Sequence, residues 1–279
     1  MESIQELRDI TQKSKLEGRE RPWGYRTFQR GPSIYISRIF LHTSVTPDQL
    51  TVLSIWLGLA GCILITLQGT PIKLFALFLL YLNLIFDRVD GEVARYRKEY
   101  SLIGIYLDEI NHLVIPPLFF IATAWGIVWK QPLINEAEFM LIGSFAAIAV
   151  ILLRVTHNIP YQIFLKKYLK YRDNLAVHTE MNPAEEIPNT TTALRSRYQF
   201  IYSILFVLHQ FQDFFITLVV FAIAYMSEYY FSPAYFLYPY SSWLLIFYTI
   251  LLWLIVFENI AKGVMGIKSR MSELEGTLL

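Results

Sequence analysis

Three aspartates, three arginines, a histidine and two bare glycine positions fall within residues 87–112, which read DRVDGEVARYRKEYSLIGIYLDEINH. Asp87 and Asp90 are three apart, and Asp108 and His112 are four apart. On helices these spacings put each pair on one face. Two facing helices that contribute such pairs can surround a divalent cation with oxygen ligands, and Mg²⁺ takes one or two carboxylates plus substrate phosphates. Three carboxylates therefore suffice for two ions, Mg²⁺ or Mn²⁺. Paired ions polarise a phosphoryl group and stabilise charge on the leaving oxygen. Gly91 and Gly104 leave helix surface open to a flat ligand or another helix. Arg95, one turn beyond Gly91, brings a fixed fork of donors suited to phosphate. Together these parts describe a site that cleaves a pyrophosphate. The competing reading of the charges alone is an ion-pair network in which Arg88, Arg95 and Arg97 neutralise the aspartates. Ionisable side chains at membrane depth cost about 2.5–3.5 kcal/mol each on insertion scales, which makes function the default reading.

The elements that must hold these residues are membrane helices. The 279-residue chain is 54% hydrophobic and 16% aromatic, with a net charge of only +1. Its apolar runs exceed the length needed to cross a bilayer, and the charge makes no case for nucleic acid. The single cysteine, Cys62, excludes an intramolecular disulfide. The pattern predicts an all-α polytopic membrane protein of six transmembrane helices plus an N-terminal interfacial amphipathic helix. Residues 1–31 form a polar, basic arm, 32–262 the membrane domain and 263–279 a polar tail. Ile4, Leu7 and Ile10 follow helical spacing within the arm, which reads as solvated and drawn to anionic lipid head groups. Residues 32–42 are too short to span and fit an interfacial helix.

Thr46 and Pro47 supply an N-cap and first-turn proline for a span over 46–68. The second span runs over 72–86 and continues as a charged helix to Arg97. The third covers 101–128 with a kink expected at Pro116 and Pro117. The fourth covers 137–165, the fifth 198–226 and the sixth 234–261, with an irregular loop over 166–197. Apart from Lys73, Lys130 and the intramembrane Arg154, the lysines and arginines fall in the arm, the interfacial helix, the 88–98 junction, the 166–197 loop and the stretch from Lys262 to the end of the tail. The positive-inside rule then makes both termini and the site cytoplasmic. The polar, charged start has no signal-peptide pattern, which favours the cell inner (plasma) membrane.

The central stretch resembles the signature of the CDP-alcohol phosphotransferase (CDP-alcohol phosphatidyltransferase) family, D-x2-D-G-x2-A-R-x8-G-x3-D-x3-D. Asp87, Asp90, Gly91, Ala94, Arg95, Gly104 and Asp108 match in identity and spacing. Residues 46–51, TPDQLT, resemble the family's T-P-N-x-x-T opening of the first span, with Asp48 where asparagine is usual. The resemblance implies transfer of a phosphoryl-linked group from a CDP-activated donor to an acceptor alcohol, with release of CMP, in phospholipid or related lipid or glycan biosynthesis. It implies Asp87, Asp90 and Asp108 as metal ligands and Gly91, Ala94, Arg95 and Gly104 as the nucleotide-facing residues. A homodimer in contact with membrane lipids would also fit the family.

The fourth aspartate of the signature, the family's general base, is His112 here. An imidazole, with an ordinary pKa of about 6.5, can take the acceptor's proton. It can also ligate a metal and would then favour Mn²⁺ or Zn²⁺. A third alternative is that the substitution marks altered chemistry: another nucleotide-activated donor, a hydrolase, or a catalytically silent membrane binding protein. On the acceptor side, Arg154 and His157 lie on the cytoplasmic approach of the fourth span and are candidates to bind a phosphate or a polar acceptor. His209, Gln210, Gln212 and Asp213 face Glu258 and Asn259 as candidate glue between the fifth and sixth spans.

Overall fold

The computed structural model describes residues 3–13, 24–128, 136–175, 207–231 and 239–277. Among them every regular element is helical. Helix α1 (Ile4–Thr11) opens with a capping box: Ser3 accepts from the Glu6 amide, and Glu6 accepts from the Ser3 amide at 2.6 Å. These bonds hold the Glu6 carboxyl below its usual range. A π-helical turn (Tyr25–Gln29) leads into α2 (Arg30–Leu41), close to the expected interfacial helix. Helix α3 (Pro47–Ile65) starts as its sequence predicts, with Thr46 and Gln49 forming a second capping box and Pro47 in the first turn. Helix α4 (Thr70–Arg97) follows a turn at Gly69, whose φ of 103° suits glycine.

Helix α5 (Leu102–Val128) runs unbroken through Pro116 and Pro117. The two prolines nevertheless lack the N–H groups that would bond the carbonyls of His112 and Leu113. Helix α6 (Glu136–Leu175) extends ten residues past the expected end at 165. The expected fifth span is interrupted: 207–210 are helical, 211–213 turn, and α7 (Phe214–Phe231) begins beyond them. Asp213 causes the restart, because its Oδ1 accepts from the amides of Phe215 and Ile216 at 3.1 and 3.4 Å. Residues 198–206 of that expected span lie outside the described residues. The last helix, α8 (Tyr240–Thr277), begins later than expected, and 232–238 lie outside the description.

The chain is an all-α polytopic membrane protein. Helices α3, α5, α6 (over 136–159), α7 and α8 (over 240–264) are long and apolar enough to cross a membrane. Six such helices were expected. The difference is α4, which is apolar from Pro71 to Phe86 apart from Lys73 and Asn83, and charged from Asp87 on.

Helix α4 packs against α3, α2, α1 and α7. Its N-terminal half joins the main core, where Leu80, Cys62, Ile65 and Ile115 meet the aromatic group of Phe119, Phe221, Tyr225 and Tyr248. Phe119 meets Phe221 edge-on at 5.2 Å, the geometry aromatic quadrupoles favour. Lipid-spanning bundles pack through small residues rather than through hydrophobic expulsion. Gly61 shows this, since a Cβ there would fall 2.7 Å from Leu80 Cγ and 2.9 Å from the Ala76 carbonyl. A smaller core of Leu50, Ile85, Val89 and Val93 fixes α2 against α3 and α4. Outward-facing Trp56 and Ile63 are exposed, as lipid-facing side chains would be.

Beside that smaller core lies a polar one. Glu92 is fully buried and accepts from Arg30 Nη1 at 2.8 Å, Gln12 Nε2 at 2.9 Å, Ser33 Oγ at 2.7 Å and Ser37 Oγ at 2.7 Å. A buried carboxylate is tolerable only when its lone pairs are filled in this way. The arm was expected to be solvated. Instead α1 is docked, with Leu7, Thr11 and Gln12 buried and joined to the membrane domain through Glu92.

Candidate active site

Two helices and one turn present the charged residues. The last three turns of α4 carry Asp87, Asp90, Gly91, Ala94 and Arg95. Lys98 then closes the helix in the left-handed region, with φ 57°. Ser101 starts α5 by accepting from the amides of Ile103 and Gly104 at 3.1 and 3.2 Å. That tight reversal brings Gly104, Asp108 and His112 of α5 opposite the α4 aspartates. Arg97 secures the neighbouring turn, donating to the carbonyls of Phe40, Thr43 and Val45 at 3.0, 2.7 and 2.7 Å.

Asp87, Asp108 and His112 converge, each offering one ligand atom within 4.8 Å of the others. His112 Nε2 lies 3.3 Å from Asp87 Oδ1 and 3.5 Å from Asp108 Oδ1. Asp87 is buried, and its Oδ2 pairs with Arg88 Nη1 at 2.9 Å. Its Oδ1 has no hydrogen-bond partner, because His112 is near but not aligned for a bond. An orphaned buried carboxylate oxygen, a second carboxylate and an imidazole nitrogen at one point make a donor set that fits a divalent cation. Asp90 stands apart from that trio. It is buried, and its Oδ2 accepts from Thr51 Oγ1 of α3 at 2.6 Å.

The competing charge-network reading finds only one participant. Arg88 neutralises Asp87, but Arg95 Nε donates to the Thr11 carbonyl at 2.6 Å and Arg97 holds the loop carbonyls.

Two cavities flank the trio. The smaller, of about 170 Å³, is lined by Asp48, Thr51, Asp90, Gly91, Ala94, Arg95, Gly104 and Asp108, among others. It gathers all four residues expected to face a nucleotide. The glycines form its bare walls: a Cβ at Gly104 would sit 2.5 Å from Asp48 Oδ1, and one at Gly91 3.1 Å from Arg95 Nη1. The larger cavity, of about 310 Å³, touches His112 and Arg88 and is rich in amides from Gln29, Asn83, Asn111 and Gln212. His112 thus stands between the carboxylate cluster and the larger cavity.

Arg154 and His157, the acceptor-side candidates, line neither cavity. Arg154 makes a two-pronged pair with Glu109 on α5, Nε to Oε1 at 2.7 Å, and His157 is exposed. The expected glue between helices is present where His209 Nε2 meets Glu258 Oε2 at 3.5 Å.

Several contributors to the site carry no motif that marks their role in the sequence. Thr51 orients Asp90, and its place five residues after Thr46 in TPDQLT was the available signal. Asn83, one turn before Asp87, donates to the Ser54 carbonyl and to Asn111 Oδ1, both at 2.9 Å. That bond ties α4 to α5 beside His112. Glu92 and Gln12 lie far apart in sequence, and no spacing rule connects them.

Residues 44–170 match the model of the CDP-alcohol phosphatidyltransferase family. A protein of Thermococcus kodakarensis described as "Bifunctional IPC transferase and DIPP synthase" is 29% identical over 143 residues, covering 51% of this chain and 32% of that protein. The alignment thus spans about a third of that relative's length. The family match contains every candidate site residue from Asp87 to His157, and it leaves out α1 and α2.

Proposed function

We propose that this chain, whose residues 44–170 match the CDP-alcohol phosphatidyltransferase family, moves a phosphatidyl-type group from a CDP-activated lipid to an acceptor alcohol, releasing CMP. The observation that carries this is the convergence of Asp87, Asp108 and His112 between two cavities of different character. The glycine-walled cavity suits the flat nucleotide of the donor, and the amide-rich one suits a hydroxyl-bearing acceptor.

Asp87 and Asp108 would hold one divalent cation. Asp90, which lines the nucleotide cavity together with Asp108, would help hold a second. Mg²⁺ or Mn²⁺ bound there supplies charge neutralisation at the phosphoryl oxygens and at the departing CMP. Arg88 keeps Asp87 ionised and oriented, and Thr51 does the orienting for Asp90. His112, open to the larger cavity, takes the proton of the acceptor hydroxyl, and the carboxylates beside its Nε2 stabilise the imidazolium that forms. The site faces the cytoplasm, where CMP can leave into water while the lipid enters sideways.

A second reading of His112 has its own support, since its Nε2 is also one of the three converging ligand atoms. Purified protein given CDP-diacylglycerol, a divalent cation and a panel of alcohols separates the cases. A base role predicts that His112→Ala lowers kcat by about 10²–10⁴ with the metal requirement unchanged. A ligand role predicts that the metal concentration needed rises by at least roughly 10–100-fold, the typical cost of losing an outer-shell partner. Full activity in His112→Ala would exclude both.

A further inference from the structure

We infer that α1, which lies outside the family match, is a strap that positions Arg95 over the nucleotide cavity; this rests on the donor reading given above. Two tie points fasten it. Gln12 Nε2 donates to Glu92 Oε1 at 2.9 Å and to the Arg30 carbonyl at 3.0 Å. The Thr11 carbonyl accepts from Arg95 Nε at 2.6 Å. The last carbonyls of a helix have no intrahelical donor, and a cation there is favoured by the helix dipole, so the end of α1 is a natural seat for a guanidinium.

The consequence falls on the other edge of Arg95. With Nε fixed, the plane of the guanidinium is set, and Nη1 and Nη2 lie along Gly91 at 3.1 and 3.4 Å from where a Cβ would stand. Nη2 is buried and has no hydrogen-bond partner, while the residue lines the cavity with Asp90, Ala94 and Gly104. A buried guanidinium nitrogen without a partner, on a residue that lines the cavity, can turn to an anionic oxygen, here a phosphate oxygen of the donor. Gly91 must be bare for the guanidinium to lie there. Arg95 is a long side chain that would otherwise sample many rotamers, so α1 removes an ordering cost that donor binding would have to meet. Thr11 and Gln12 are thus positioning residues acting through Arg95.

The test compares the full chain with a variant lacking residues 1–13 and with Gln12→Leu, each with Arg95 intact and in an Arg95→Ala background. KM for CDP-diacylglycerol, kcat and the melting temperature in detergent are read for all. The strap predicts that either change raises KM roughly tenfold, with kcat changed less than about twofold, and that neither raises it further once Arg95 is alanine. Gln12→Leu leaves Glu92 its bonds from Arg30, Ser33 and Ser37, so it serves if the deletion does not fold. A KM increase of the same factor in both backgrounds, a fall in kcat and melting temperature with KM unchanged, or no effect would overturn the strap. Wild type that neither binds nor turns over CDP-diacylglycerol would overturn the donor reading itself, and the strap with it.

Discussion

Asp87 has one oxygen committed to Arg88 and the other without a hydrogen bond, so its carboxylate is prepared for one more cation. Asp87→Asn keeps the shape and removes the charge. It should lower turnover by at least about 100-fold, beyond what loss of an outer-shell partner typically costs, with an unchanged elution profile in detergent. Gly104→Ala acts differently. The added Cβ would meet the flexible end of Asp48 at 2.5 Å, so the fold can adjust, but the cavity narrows. KM for the donor should rise several-fold while the melting temperature stays within about a degree. These residues were legible because their spacing survives folding: Asp87, Asp108 and His112 needed only the 3.6-residue period and a reversal near Ser101. Asp90 was legible as a carboxylate but not as the partner of Thr51, because that bond depends on how α3 lies against α4.

At the scale of elements, the starts of helices were readable and their partners were not. Thr46-Pro47 announced α3 through its capping chemistry, whereas the break at 211–213 is made by Asp213, a residue first assigned to helix–helix pairing. The docking of α1 was hidden because the buried carboxylate Glu92 sits among Arg95, Arg97 and Lys98 and looks like one more surface charge. Its burial makes a strong prediction. Removing one member of a buried ion pair costs about 3–5 kcal/mol, so Arg30→Met should lower the melting temperature markedly and expose α1 to protease. Lys262, whose pair with Glu258 is exposed on its lysine side, should by comparison tolerate alanine with little change. Helix packing gives a third case. Gly61→Val would press on the Ala76 carbonyl, which cannot move aside, and overpacking of this kind costs about 1–3 kcal/mol.

The whole molecule is a helical membrane protein with its charged chemistry gathered at one end of α4 and α5. The proposed topology, argued from the positive-inside distribution of Lys and Arg, has that end in the cytoplasm. Glu99→Cys tests it, since the natural Cys62 is buried. An impermeant maleimide should label the exposed new thiol in inverted vesicles and not in intact cells; labelling from outside would reverse the orientation. The central claim, however, is the transfer itself, and CMP release tests it most directly. Wild type and Asp87→Asn would be incubated with CDP-diacylglycerol, with and without Mg²⁺ or Mn²⁺, and with and without each of a panel of alcohols. The account predicts CMP only when cation and a particular alcohol are both present, and almost none from Asp87→Asn. CMP formed equally well without alcohol, or undiminished by Asp87→Asn, would contradict it.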